Sequence, residues 1–287
     1  HPGRPLAGVI LLLLAVLAFA LGDVAMKLLT ARQPVGLILA VRYAVNLALI
    51  VVLFGPRAGR GLWRTARTWP VLARGLVLAA GSATMGLALR VMPLAETVTI
   101  LYLSPFLVML LARPLLGERV GLAGWIGAVT GFAGIVLILR PGGGLDPLGV
   151  ALMLVNVLCA TVYALMTRFL ARTESATAML FHVALVGTVV FGLAAVPALG
   201  GPPPPAADLA LMAVLAGLST LGHILFTLAY REAPASLLAP VNFMHLVWAG
   251  GLGWLVFGQV PDSLGLTGMA LVCAAGVFIA LRAHFAR

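Results

Sequence analysis

The chain is written as apolar runs of about twenty residues divided by short, punctuated links, and that pattern fixes the solvent in which it folds. A helix rising 1.5 Å per residue needs about 20 apolar residues to cross about 30 Å of hydrocarbon. With that length as a ruler the sequence divides into ten spans. They lie at approximately 6–29, 34–54, 69–89, 94–113, 121–139, 148–170, 175–197, 207–229, 235–257 and 263–282. The breaks coincide with Gln33-Pro34, Gly55-Pro56, Met92-Pro93, Pro141 to Gly144, Pro202 to Pro205 and Val260-Pro261. Composition agrees: 62% of the 287 residues are apolar and 9% are charged, against about 25% charged in soluble domains. The first run is longer than a signal-peptide core and ends without a small-residue cleavage site, so it reads as a mature helix. Cys159 and Cys273 fall inside apolar runs and read as small buried residues rather than a disulfide or a metal pair.

A net charge of +10 would point to nucleic acid in a soluble protein. Here the basic residues stand in short links between apolar runs, which excludes a nucleic-acid partner and instead reports topology. Twelve Lys and Arg residues fall on the side that holds both termini and the 2–3, 4–5, 6–7 and 8–9 links. Four, Lys27, Arg32, Arg90 and Arg140, fall on the other, while Arg42 and Arg74 lie within spans. The expectation is a multi-pass protein of the cell membrane (the inner membrane of a bacterium), with lipid around it and both termini cytoplasmic.

The two halves repeat at an offset of 141 positions. Leu87 to Pro93 then meets Leu228 to Pro234, with four of seven residues identical, and Lys27 meets Arg168. The Arg and Pro matches carry this alignment, because apolar coincidences are common in such sequences. Residues 1–141 and 142–287 thus read as two repeats of five spans each. An odd number of spans makes the second repeat enter from the opposite face, an arrangement used by many secondary transporters.

These segments resemble a known family. Leu87 to Pro93, Pro105 in the following helix and Leu116-Gly117-Glu118 before the next one look like the EamA-type pattern of the drug/metabolite transporter superfamily. A weaker second copy runs from Leu228 to Gln259, with Gln259 where the pattern often has Glu. The resemblance implies an all-α membrane protein of ten helices in two inverted five-helix repeats around a central cavity. It implies export of small metabolites, and the chain is similar to the YddG-type exporters of aromatic and other neutral amino acids.

Polar residues inside spans face a cavity or one another. Ser82 and Met85 in span 3, Tyr102 and Ser104 in span 4, Asn156 and Tyr163 in span 6, His223 and Phe226 in span 8, and Asn242, His245 and Trp248 in span 9 are the candidate cavity lining. Taken singly, each reads as readily as an interhelical hydrogen bond. Together they describe aromatic walls with neutral polar groups, suited to a zwitterion or neutral solute. Pro105 and Pro240 are expected to free backbone carbonyls beside them. Asp23, Lys27, Arg42, Arg90 and Glu96 form a second, charged set in the outer third of the membrane. They read either as an interfacial ion-pair network, with Asp23 and Lys27 paired at i and i+4, or as an outer gate or proton-coupling site. Gly121, Gly124, Gly127, Gly131 and Gly134 in span 5, and Gly265, Gly268 and Gly276 in span 10, read as close-packing faces.

Lys27 is followed by Leu28, so it does not belong to a GxxxxGK[ST] phosphate loop, and neither an HExxH nor a GxSxG motif is present. The expectation is therefore a transporter and not an enzyme, with no cofactor and no metal. It carries a small organic solute, most simply exporting neutral or aromatic amino acids by alternating access around a midplane cavity. The alternatives are another metabolite, a lipid-linked solute, a passive pore or an intramembrane enzyme. The protein is expected to act as a monomer or weak homodimer.

Overall fold

The computed structural model describes residues 5–116, 122–139, 144–233, 238 and 241–285. The described residues are helical throughout, with no strand. The helices are α1 (Pro5–Thr30), α2 (Val35–Ala58), α3 (Thr68–Val91), α4 (Leu94–Leu101), α5 (Ser104–Leu116) and α6 (Leu122–Leu139) in the first half. The second half holds α7 (Pro147–Leu170), α8 (Ala176–Ala195), α9 (Ala206–Glu232), α10 (Met244–Phe257) and α11 (Ser263–Phe285). Six stretches among the described residues are long and apolar enough to cross a membrane: Leu6–Thr30, Val35–Leu62, Thr68–Val91, Pro147–Leu170, Ala176–Ala198 and Ala206–Ala229. Shorter apolar helices occupy Leu94–Val108, Trp125–Leu139, Met244–Phe257 and Ser263–Phe278. The chain is therefore a multi-pass helical membrane protein, and side chains such as Leu6, Trp69, Leu122, Val129 and Leu193 are widely exposed on its outside.

Local sequence sets the ends. Asp146 caps α7 by accepting from the amides of Leu148 and Gly149, with Pro147 in the first position, where a missing N–H costs nothing. Ser175 caps α8 by accepting from the Ala178 amide. Met92 is extended because Pro93 follows it, and this stops α3. Gly258 closes α10 with φ of 64°, a left-handed conformation that glycine adopts without steric cost.

Two spans depart from the expectation: 235–257 is interrupted by a turn at Phe243, after which α10 starts at Met244, and 94–113 is broken as well. Residues 94–113 do not form a continuous helix: α4 stops at Leu101 and α5 starts at Ser104, with Tyr102 and Leu103 in tight turns onto Thr99 and Ile100. Pro105 has no amide hydrogen to continue the ladder, and it sits comfortably in the first turn of α5. Pro240, Gly117, Glu118, Gly121 and Arg140 lie outside the described residues.

The main contacts between halves exchange into one another when the halves are swapped. α1 packs on α9 as α7 packs on α3, α2 meets α9 as α8 meets α3, and α1 meets α10 as α7 meets α4 and α5. α2 against α8 and α6 against α11 are each their own counterpart. The last pair touches backbone to backbone: a Cβ on Gly134 would stand 2.6 Å from the Gly268 carbonyl oxygen, and one on Gly268 would stand 2.5 Å from that of Gly134. Gly131 leaves room for the Phe106 ring and Gly276 for Phe243, whereas Gly265 stands beside the Asp262 cap rather than against a neighbouring helix.

Candidate functional site: a cavity between the halves

A cavity of about 440 Å³ opens between the halves, walled by α1, α2, α3, the α4–α5 break, α7, α9 and the start of α10. α1 supplies Phe19, Gly22, Asp23 and Met26, spaced i, i+3, i+4, i+7 along one face. α9 supplies Ser219, His223 and Phe226, again one face. Of the expected lining, Ser82, Met85, Tyr102, Ser104, Asn156, His223, Phe226, Asn242 and His245 stand on this wall.

Much of the wall is already hydrogen-bonded. Tyr102 donates from its hydroxyl to the Asn242 carbonyl at 2.9 Å, tying the α4–α5 break to the start of α10. Ser82 meets the Tyr43 hydroxyl at 2.7 Å, and Ser104 meets Thr161 at 3.2 Å. Asn156 donates to the Gly81 carbonyl at 2.6 Å, while its own Oδ1 is buried with no partner. Rings complete the wall: Phe19 lies edge-on to His223 at 5.1 Å and 6.4 Å from both Phe226 and His245, and Tyr102 packs 5.0 Å from Phe243.

Two residues expected to line the cavity lie elsewhere. Tyr163 is two turns along α7 from Asn156, and its hydroxyl accepts from the Arg74 guanidinium at 2.6 Å. Arg74 is 3% exposed and also donates to Thr167 at 2.7 Å and to the Met179 carbonyl at 3.3 Å, so Tyr163 closes a buried network among α3, α7 and α8. Trp248 packs in a separate apolar cluster with Leu11, Leu12 and Leu225, and its Nε1 is buried with no partner.

The charged set divides. Asp23 and Arg42 stand on the cavity wall; Lys27, Arg90 and Glu96 do not. Asp23 and Lys27 do not pair. Asp23 faces α10 and meets His245, while Lys27 donates to the carbonyls of Leu89 and Met92, where the end of α3 presents unsatisfied oxygens. Lys27 also lies 5.4 Å from the Phe257 ring centroid. Glu96 is buried in the first turn of α4 with Oε2 unpartnered, and Gln259 accepts from the Leu94 amide at that helix start. Arg90 is exposed. Arg42 donates to Ser219 at 3.1 Å.

Phe19 stands on the wall without having been expected there, and Tyr43, which is not on the wall, holds Ser82. The signal for Phe19 was present: it precedes Asp23 by four residues and so shares its face. Tyr43 had no such marker, because its hydroxyl contact is with another helix.

A helical membrane protein with a mainly apolar, ring-walled cavity that carries a few polar groups and is shared between two similar halves is the architecture of a solute carrier. The chain belongs to the EamA-like transporter family, whose model matches it twice, over residues 6–140 and 147–281. It is 31% identical to the riboflavin transporter of Rhizobium johnstonii over 97% of this chain and 92% of that one. It is 26% identical to the pseudopaline exporter CntI of Pseudomonas aeruginosa (94% of each chain), and 25% identical to the S-adenosylmethionine uptake transporter of Rickettsia bellii (93% and 91%). These relatives are named for several metabolites rather than for aromatic amino acids. A solved crystal structure covers 99% of each chain with a TM-score of 0.67 at 23% identity, a likeness of fold alone.

Proposed function

We propose that this transporter is a secondary or facilitative carrier, moving a ring-bearing organic metabolite across the cell membrane by alternating access around the central cavity. In this reading the ten apolar segments all span. The two five-helix repeats are inverted, the termini are cytoplasmic, and the halves rock against each other to expose the cavity to one side and then the other. The observation that carries it is the shared wall, with α1 to α5 on one side and α7, α9 and α10 on the other. Asp23 and Arg42 contact or gate the solute, and Lys27 and Glu96 act at the end of α3 and the start of α4 as the outer gate.

The cavity volume lies within the range of about 300–1,000 Å³ that accepts drug-sized ligands, and its rings offer faces for stacking. A flavin-sized ring system is the first reading, supported by the likeness to the Rhizobium johnstonii protein. An aromatic amino acid is the second, favoured by a fixed cation, Arg42, and a fixed anion, Asp23, on one wall. Counterflow in proteoliposomes decides between them. Vesicles preloaded with unlabelled riboflavin, or with phenylalanine, are offered a trace of the labelled compound. Saturable accumulation identifies a carrier and its substrate class; its absence with both, in vesicles shown to hold folded protein, removes both readings. Net export is read in the same vesicles from loss of preloaded solute.

A further inference from the structure

Resting on the carrier reading, we propose that Arg42 anchors a planar two-acceptor edge of the solute, the geometry shared by a carboxylate and by the nitrogen–carbonyl edge of a flavin ring. Three Lys and Arg side chains among the described residues are not exposed, Lys27, Arg42 and Arg74, and two of them are answered by the protein. Lys27 meets two carbonyls at the end of α3, and Arg74 meets Tyr163, Thr167 and the Met179 carbonyl. Arg42 is different. Its hydrogen-bond acceptor is a neutral hydroxyl, Ser219 Oγ at 3.1 Å, the Tyr43 ring lies 5.7 Å away, and its charge is felt by the neighbouring His223. Among the described residues no carboxylate lies within ion-pair distance of it: Asp23 engages His245, and Asp208 engages Arg32. Its Nε is buried with no acceptor at all.

A guanidinium inside a membrane is costly and is normally paired, so a lone one on a cavity wall marks a place where the ligand supplies the acceptor. The form of the vacancy is specific. Nε–H and one hydrogen of Nη2 point side by side, and this edge of the guanidinium matches two acceptor atoms held in one plane. Nη2 carries two hydrogens, and Ser219 takes one of them. A phosphate dianion fits less well, because Asp23 stands on the same wall and one cation does not offset two added charges. Phe19, His223 and Phe226 line the same cavity, so the edge belongs to a solute with a ring body.

The test compares wild type, Arg42→Lys and Arg42→Gln in counterflow, and by ligand-induced thermal stabilisation in detergent, with riboflavin, phenylalanine and phenylalaninamide. A carboxylate at Arg42 predicts that wild type prefers phenylalanine to its amide, that R42Q abolishes the preference, and that R42K keeps part of it. A ring edge predicts that both variants raise the riboflavin KM at least roughly tenfold, because an ammonium has no fork. In either case the maximal rate falls less than the affinity. The proposal is overturned if folded R42Q keeps the wild-type KM for whichever solute wild type carries. It is also overturned if wild type is neither stabilised by nor carries any of them. Stabilisation of wild type without counterflow removes the carrier reading alone, and loss of that stabilisation in R42Q still upholds the anchor.

Discussion

Asp23 on α1 and His245 on α10 meet on the cavity wall, with the carboxylate Oδ2 3.1 Å from the imidazole Nε2. They are 222 residues apart, one in each half. Any motion that separates α1 from α10 must lengthen this contact. Asp23→Ala and His245→Ala are each expected to slow counterflow roughly tenfold. The double variant is expected to be no slower than the slower single one, because groups in direct contact are not additive. Equal and independent losses in the cycle would show that the pair does not act as one element.

Tyr163 is expected to matter for stability and not for affinity. Tyr163→Phe takes one acceptor from a guanidinium that is 3% exposed, and hydrogen bonds to charged groups contribute about 1.5–3 kcal/mol. Thermal unfolding in detergent should shift down while the KM for the carried solute stays unchanged. A raised KM with unaltered unfolding would place Tyr163 at the solute after all.

The α6–α11 contact is set by backbone approach at Gly134 and Gly268. Gly134→Val forces the two helices apart, because the obstacle is a carbonyl oxygen and not a movable side chain. Overpacking of this kind costs about 1–3 kcal/mol. The expected outcome is lower thermal stability, and Gly192→Ala, where nothing lies within 4 Å, serves as the neutral comparison.

Glu174 holds the start of α3. Its two carboxylate oxygens accept from the amides of Ala66 and Arg67 at 2.9 and 2.8 Å. Glu174→Ala hands both amides, which belong to the exposed residues Ala66 and Arg67, to water, at about 0.5–1.5 kcal/mol for each hydrogen bond lost. Limited proteolysis of the 59–67 segment should accelerate roughly tenfold, and an unchanged rate would show that water replaces the carboxylate freely.

The sequence by itself determined the solvent, the positions of the apolar segments and the likeness of the halves. Each follows from local runs: twenty apolar residues have one economical partner, and the breaks are written in Pro and Gly. It also marked most of the polar residues that stand on the cavity wall, because a polar group within an apolar face is conspicuous, as at Ser82, Asn156 and His223. Only the tertiary structure decided which of those groups answer one another. Asp23 has Lys27 one turn away, yet its partner is His245, because Lys27 is drawn to the open carbonyls of α3. Tyr163 continues the face of Asn156, yet leaves the cavity because Arg74, on another helix, donates to it. Periodicity describes one helix at a time; the competition between donors and acceptors on different helices exists only after they have packed.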